Sequence, residues 1–121
     1  MSRKVLVVED DVEVQSAIAG VLAIAGYDPV CADNGLEALD VLRREEPPRV
    51  ILLDFQMPEM DGEGFLAART QLPGREGIPV IVLSAHPESQ WKARSLHLPC
   101  LMKPFDVEVL LDTIEKYSRR E

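Results

Sequence analysis

The sequence is short of basic residues: 13 Lys and Arg stand against 21 Asp and Glu, for a net charge of −8. The isoelectric point lies near 4.7. That deficit excludes a domain that grips nucleic acid by its phosphates, which needs a basic surface. It also excludes docking on an anionic membrane. Long hydrophobic runs are missing too. No stretch approaches the ~18 apolar residues that span a bilayer, and the apolar run Val5-Leu6-Val7-Val8 stops at Glu9, too early for a signal peptide. The two cysteines, Cys31 and Cys100, are too few for a disulfide framework or a cysteine metal site. No repeat, low-complexity tract or interdomain linker is present. What remains is 46% hydrophobic and 28% charged, the profile of a soluble globular chain. Its length suits a single domain over residues 1–121, read as cytoplasmic.

Five strand–helix alternations fill that length. Val5-Leu6-Val7-Val8, Val50-Ile51-Leu52-Leu53 and Val80-Ile81-Val82-Leu83 are continuous apolar runs, which fit strands covered on both faces of a parallel sheet. Weaker strands at 28–32 and 98–102 contain Pro29 and Pro99, which belong on edges or at strand starts. The first helix carries Val14, Ile18, Val21, Leu22 and Ala25 at three- and four-residue steps and stops at Gly26. Asn34 and Glu37 form a capping box ahead of Leu39 and Leu42. Asp61 caps a third helix through Phe65, Ala68 and Leu72, and 72–78 is a surface loop. A short polar fourth helix spans about 87–95, with Trp91, Ala93 and Leu96 as its core candidates. The last helix starts at Asp106, buries Val107, Leu110, Ile114 and Tyr117, and ends with Lys116, Arg119 and Arg120 at its negative dipole end. Strong runs in the centre and proline strands at the edges give a doubly wound (βα)5 flavodoxin-like sheet of order 2-1-3-4-5.

In that fold the ligand crevice lies at the carboxyl ends of strands 1 and 3. Glu9, Asp10 and Asp11 end the first, and Asp54 ends the third. Acids crowded together call for a counter-charge, and Mg²⁺ suits them: it takes one or two carboxylates, keeps waters and recruits a phosphoryl oxygen. Asp11 also reads as the cap of the first helix. Ser84 ends strand 4 and Lys103-Pro104 follows strand 5, on the same side of the sheet. A carboxylate nucleophile, a metal cage, a hydroxyl donor and a fixed cation are the parts of phosphoryl transfer to an aspartate. The trans preference of an X-Pro bond is only ~0.5–1 kcal/mol, so the tight turn at Lys103-Pro104 is expected to be cis.

These strings, in this order, resemble the response-regulator receiver domains of two-component signalling, of the chemotaxis-regulator type, over the whole chain. The matching residues are Val8-Glu9-Asp10-Asp11, Asp54-Phe55-Gln56-Met57-Pro58, Met60-Asp61-Gly62, Ser84-Ala85 and Lys103-Pro104-Phe105. The resemblance implies that Asp54 is the phospho-acceptor. Glu9, Asp10, Asp54 and the backbone carbonyl of Gln56 would hold Mg²⁺, Lys103 would contact the phosphoryl group, and the Ser84 hydroxyl would turn toward it on activation. It further implies a phosphohistidine donor, on a sensor histidine kinase or a phosphotransfer protein. Phosphoryl charge would arrive beside Ser84 and Lys103, and helix 4 is short and polar, so the expected surface for a downstream protein is helix 4, strand 5 and helix 5. A homodimer on activation is a further expectation. Such a domain assists its own phosphorylation and dephosphorylation without being an enzyme in the ordinary sense.

Some residues depart from the family pattern. The interval from Ser84 to Lys103 is a few residues short, and Leu96-His97-Leu98-Pro99 replaces a common Gly-Ala pair. Cys100 stands where the family has a switch aromatic, which leaves displacement of the fourth helix as the expected signal. Cys31 and Cys100 fall on opposite edge strands, beyond the ~7 Å Cα reach of a disulfide, and read as free thiols buried as small hydrophobes. His86 reads either as a tuner of phosphate lifetime or as a solvated loop residue, and His97 as surface. Trp91 is a core residue or, if exposed, a partner anchor. The alternatives are a phosphate-independent receiver-like module and a small Mg²⁺-dependent phosphohydrolase, for which the chain lacks a cap or substrate pocket. A flavin binder is a third, opposed by acids where phosphate would sit. The absence of an effector region after the last helix favours a single-domain shuttle, although an excised piece of a longer regulator reads the same.

Overall fold

A computed structural model describes residues 3–57 and 60–118. Pro58 of the expected motif and the expected terminal cations Arg119 and Arg120 lie outside the described residues. The elements alternate as β1 (Lys4–Val8), α1 (Val12–Ile24), β2 (Asp28–Ala32), α2 (Gly35–Arg44), β3 (Val50–Asp54), α3 (Gly62–Arg69), β4 (Val80–Ser84), α4 (Pro87–Ser95), β5 (Cys100–Met102) and α5 (Val107–Tyr117). All strand pairs are parallel, in the order β2-β1-β3-β4-β5. The apolar runs are therefore central, and the strand containing Pro29 and the strand after Pro99 are the edges.

Alternation along the strands divides the core into two halves. Val5, Val7, Val50, Leu52, Ile81 and Leu83 pack with Ile18 and Leu22 of α1 and with Leu110 and Ile114 of α5. Leu6, Val8, Ile51, Leu53, Val80 and Val82 pack on the opposite face with Leu39 and Leu42 of α2, Phe65 of α3 and Ala93 of α4. Burying a side chain of this size contributes ~1.5–3 kcal/mol, so these two layers hold the helices on the sheet.

Local signals set the helix ends. Asp11 Oδ1 accepts from the N–H groups of Glu13 and Val14, so its capping role is realised. Gly26, at φ +92°, takes the left-handed position that ends α1. Asn34 Oδ1 accepts from Glu37 N–H at 2.9 Å, but Glu37 Oε1 reaches back to the N–H of Asp33 rather than that of Asn34. Asp61 Oδ1 accepts from Gly64 N–H at 2.8 Å.

Several expectations about burial are corrected. Strand β5 starts at Cys100, two residues later than expected, although Pro99 O still accepts from Val82 N–H. Helix α3 stops at Arg69, short of Leu72, and Ile78, at the end of the expected surface loop, is in the core. Val107 and Tyr117 are exposed: they continue the Leu110–Ile114 stripe past the part of α5 that rests on the sheet. The inward face of α4 consists of Ser89 and Ala93, four residues apart, so Trp91 points outward, 74% exposed, and Leu96, past the end of the helix, is exposed as well. Cys31 is exposed rather than buried, because β2 is an edge strand. Cys100 is half-buried, and burial pushes its thiol pKa up.

Candidate functional site

The strand alternation that builds the core also aims the site. One further step along β1 puts Glu9 on the same face as Val5 and Val7. Asp54 follows Val50 and Leu52, and Lys103 follows Leu101. Backbone bonds extend the ladders to hold these positions: Glu9 N–H donates to Ala32 O at 3.1 Å, and Lys103 N–H donates to Ser84 O at 2.7 Å. The Lys103–Pro104 peptide is cis, as expected.

Carboxylate oxygens of Glu9, Asp10 and Asp54 come within 4.8 Å of one another. Asp10 is exposed, whereas Glu9 and Asp54 are buried. Lys103 Nζ lies 2.6 Å from Glu9 Oε1 and 3.6 Å from Asp54 Oδ2. Burial pushes the Glu9 pKa up to about 8, helped by the Asp54 carboxyl, and Lys103 only partly opposes this. For Lys103 burial works against the ammonium, but the hydrogen bond to Glu9 and the fields of Asp54 and Glu9 outweigh it, and its pKa is raised. Glu9 Oε2 is buried without a hydrogen-bond donor among the described residues. An acceptor left unsatisfied beside two further carboxylates fits a hard divalent cation of the Mg²⁺ type.

Gln56 N–H donates to Asp54 Oδ1 at 2.9 Å, which fixes the orientation of that carboxylate. Ser84 is buried, but its hydroxyl oxygen accepts from His86 N–H at 2.9 Å, so it is engaged with the loop before α4. His86 is exposed and caps α4 without a side-chain bond, and His97 is exposed at a left-handed turn, φ 59°. Gly62 explains its place in the Met60-Asp61-Gly62 motif: a Cβ there would sit 2.3 Å from Phe55 Cδ1, in the loop that follows the acceptor.

Two residues of the site carried no signal in the sequence. Gln15 Nε2 donates to Glu9 O at 2.9 Å and Asp33 Oδ1 at 3.0 Å, tying together the loops after β1 and β2. Ser89, fully buried in α4, accepts from Gln56 Nε2 at 3.2 Å. Neither follows from periodicity or from a motif. Beside the acids, an apolar groove of about 470 Å³ runs between α1 and the start of α5, lined by Val14, Ile18, Val21, Lys103, Pro104 and Phe105. A second concavity of about 470 Å³ lies across α4, β5 and α5, lined by Gln90, Arg94, His97, Cys100 and Tyr117 among others.

The comparisons with known proteins agree with this geometry. The family described as "Response regulator receiver domain" matches residues 5–115. Sporulation initiation phosphotransferase F of Bacillus subtilis is 34% identical over 97% of this chain and 94% of its own length. A CpxR homolog of Haemophilus influenzae is 33% identical over 97% of this chain, which spans about half (51%) of that regulator. Among solved structures, chemotaxis protein CheY4 of Vibrio cholerae superposes with a TM-score of 0.85 at 30% identity, over 97% of this chain and 99% of that one. A doubly wound sheet, an acid cluster at its switch point and a family match over nearly the whole length lead to one assignment: the chain belongs to the response-regulator receiver-domain family, the signalling modules of two-component systems.

Proposed function

We propose that this chain takes a phosphoryl group from a phosphohistidine, on a sensor histidine kinase or a phosphotransfer protein, onto Asp54, and that the product changes which partner it binds. The observation that carries the reading is Glu9 Oε2, without a donor among the described residues, within a cluster of three carboxylates that Lys103 bridges to Asp54. Glu9, Asp10, Asp54 and the Gln56 backbone carbonyl would hold Mg²⁺, which when bound supplies charge neutralisation at the phosphoryl oxygens.

The chain's own residues do the rest. Gln56 N–H holds one Asp54 oxygen, so the carboxylate is oriented before the donor arrives. An Asp54 oxygen forms the new P–O bond as the donor's P–N bond breaks, and the leaving imidazole takes a proton from solvent. Lys103 then follows the negative charge from the carboxylate to the phosphoryl oxygens. The Ser84 hydroxyl reaches the same oxygens by giving up His86 N–H. Because Lys103 lines both the site and the apolar groove, a donor helix in that groove would carry its histidine to Asp54.

The output face in this reading is α4, β5 and α5. Trp91, Leu96 and Tyr117 are exposed there, and α4 buries only Ser89 and Ala93, so it is held loosely enough to move. The test is transfer from a radiolabelled phosphohistidine protein. Label should pass to the wild-type chain and not to Asp54→Asn; equal labelling of both would reject the acceptor assignment.

A further inference from the structure

Gln56 touches the acceptor and α4 at once. Its backbone N–H donates to Asp54 Oδ1, and its side-chain Nε2 donates 3.2 Å to the Oγ of Ser89 in the first turn of α4. Ser89 N–H donates to His86 O at 3.1 Å, and His86 N–H donates to Ser84 Oγ at 2.9 Å. A continuous chain of bonds therefore runs from Asp54 through Gln56, Ser89 and His86 to Ser84. It leaves the end of β3, crosses the first turn of α4 and returns to the end of β4.

Among the described residues, little else fastens that turn. Ala93 is the other buried residue of α4, and the Lys92–Glu63 ion pair to α3 is half-exposed on both sides, a kind of pair worth ~0–1 kcal/mol. Ser89 is a fully buried hydroxyl, and leaving such a group unpaired costs ~1–3 kcal/mol. The Gln56 amide is thus what satisfies Ser89 from outside its own helix.

We propose that Ser89 is a positioning residue acting through Gln56: their hydrogen bond latches α4 to the acceptor loop until Asp54 is phosphorylated, taking over the coupling that an aromatic at position 100 would provide. The inference rests on Asp54 being the acceptor. A phosphoryl group brings roughly two negative charges and strong acceptor oxygens beside Gln56 and Ser84. Bonds to a charged acceptor are about twice as strong as the neutral Gln56–Ser89 and His86–Ser84 bonds they replace. Both ends of the chain then release α4 together, which gives two discrete arrangements rather than a gradual shift.

The test uses the full chain as wild type, Ser89→Ala, Gln56→Met and the double variant, followed by amide hydrogen exchange. Without phosphoryl donor, each single variant should speed exchange along α4 by about five- to tenfold, while the double variant adds less than twofold more. With acetyl phosphate and Mg²⁺, wild-type α4 should rise to the level of the variants, and Ser89→Ala should change less than twofold. Unchanged β3 and β4 exchange serves as the check that the variants fold. Additive single effects, or wild-type exchange in unphosphorylated Ser89→Ala, would overturn the latch. The unphosphorylated arm is independent of the acceptor reading. A wild type that takes no phosphoryl group overturns that reading and the switching half of the inference, while the Gln56–Ser89 link is still decided by the first arm.

Discussion

Lys103 Nζ donates a 2.6 Å hydrogen bond to Glu9 Oε1 across the carboxyl edge of the sheet, with Glu9 wholly buried and Lys103 one-fifth exposed. The lysine is nearer to Glu9 than to Asp54, by 2.6 Å against 3.6 Å. Before phosphorylation its charge is therefore spent mainly on an acid that burial disfavours.

That arrangement sets a pH dependence in metal-free protein. The Glu9 carboxyl is raised from 4.5 to about 8, chiefly by burial, so between these values the folded state holds a proton that the unfolded chain has lost. Folding stability contributed by this group falls as pH rises through that window. In EDTA, urea unfolding of the wild type should lose on the order of a few kcal/mol relative to Glu9→Gln between pH 5 and about pH 8. Parallel pH profiles for the two proteins would contradict the assignment.

Mg²⁺ should reverse that loss. A ligand that binds only the folded state stabilises it by RT ln(1 + [L]/Kd), about 2.7 kcal/mol at a hundredfold excess over Kd. Thermal melts at pH 8 should rise with Mg²⁺ in the wild type and lose most of that response in Asp10→Asn. Asp10 is exposed, so this substitution leaves the core intact. An undiminished Mg²⁺ response in Asp10→Asn would exclude it as a ligand.

Much of this architecture can be read from residues alone, and the failures have two causes. The apolar runs 5–8, 50–53 and 80–83 announce central strands because both faces of a parallel strand must be covered. The acids at 9, 10 and 54 announce the site because the strand order brings them together. Val107, Tyr117 and Cys31 lie outside the core expected of them because composition says what a side chain prefers, not where the sheet beneath it ends, and Trp91, open to either reading, takes the exposed one. Ser89 and Gln15 were invisible for a different reason: a side-chain hydrogen bond between distant loops leaves no periodic trace.

Gly62 should tolerate no side chain. Alanine there would place its Cβ 2.3 Å from a Phe55 ring carbon and 2.9 Å from the Phe55 Cα. Overpacking of this kind costs ~1–3 kcal/mol. Gly62→Ala should lower the urea midpoint accordingly and slow phosphorylation, whereas Gly77→Ala, with open space around it, should do neither.

Trp91 is the sole tryptophan, so intrinsic fluorescence reports α4 directly. At 74% exposure its emission should be solvent-like and freely quenched by acrylamide, and Trp91→Ala should alter stability by less than ~0.5 kcal/mol. A blue-shifted, protected emission in the isolated chain would contradict the outward placement.

Intact mass spectrometry after incubation with acetyl phosphate addresses the acceptor most directly. With Mg²⁺, the wild type should gain the mass of one phosphoryl group; in EDTA, or in Asp54→Asn, it should gain none. A full phosphoryl adduct on Asp54→Asn, or one on the wild type that EDTA leaves untouched, would contradict an Asp54 acceptor served by the Glu9–Asp10 metal site.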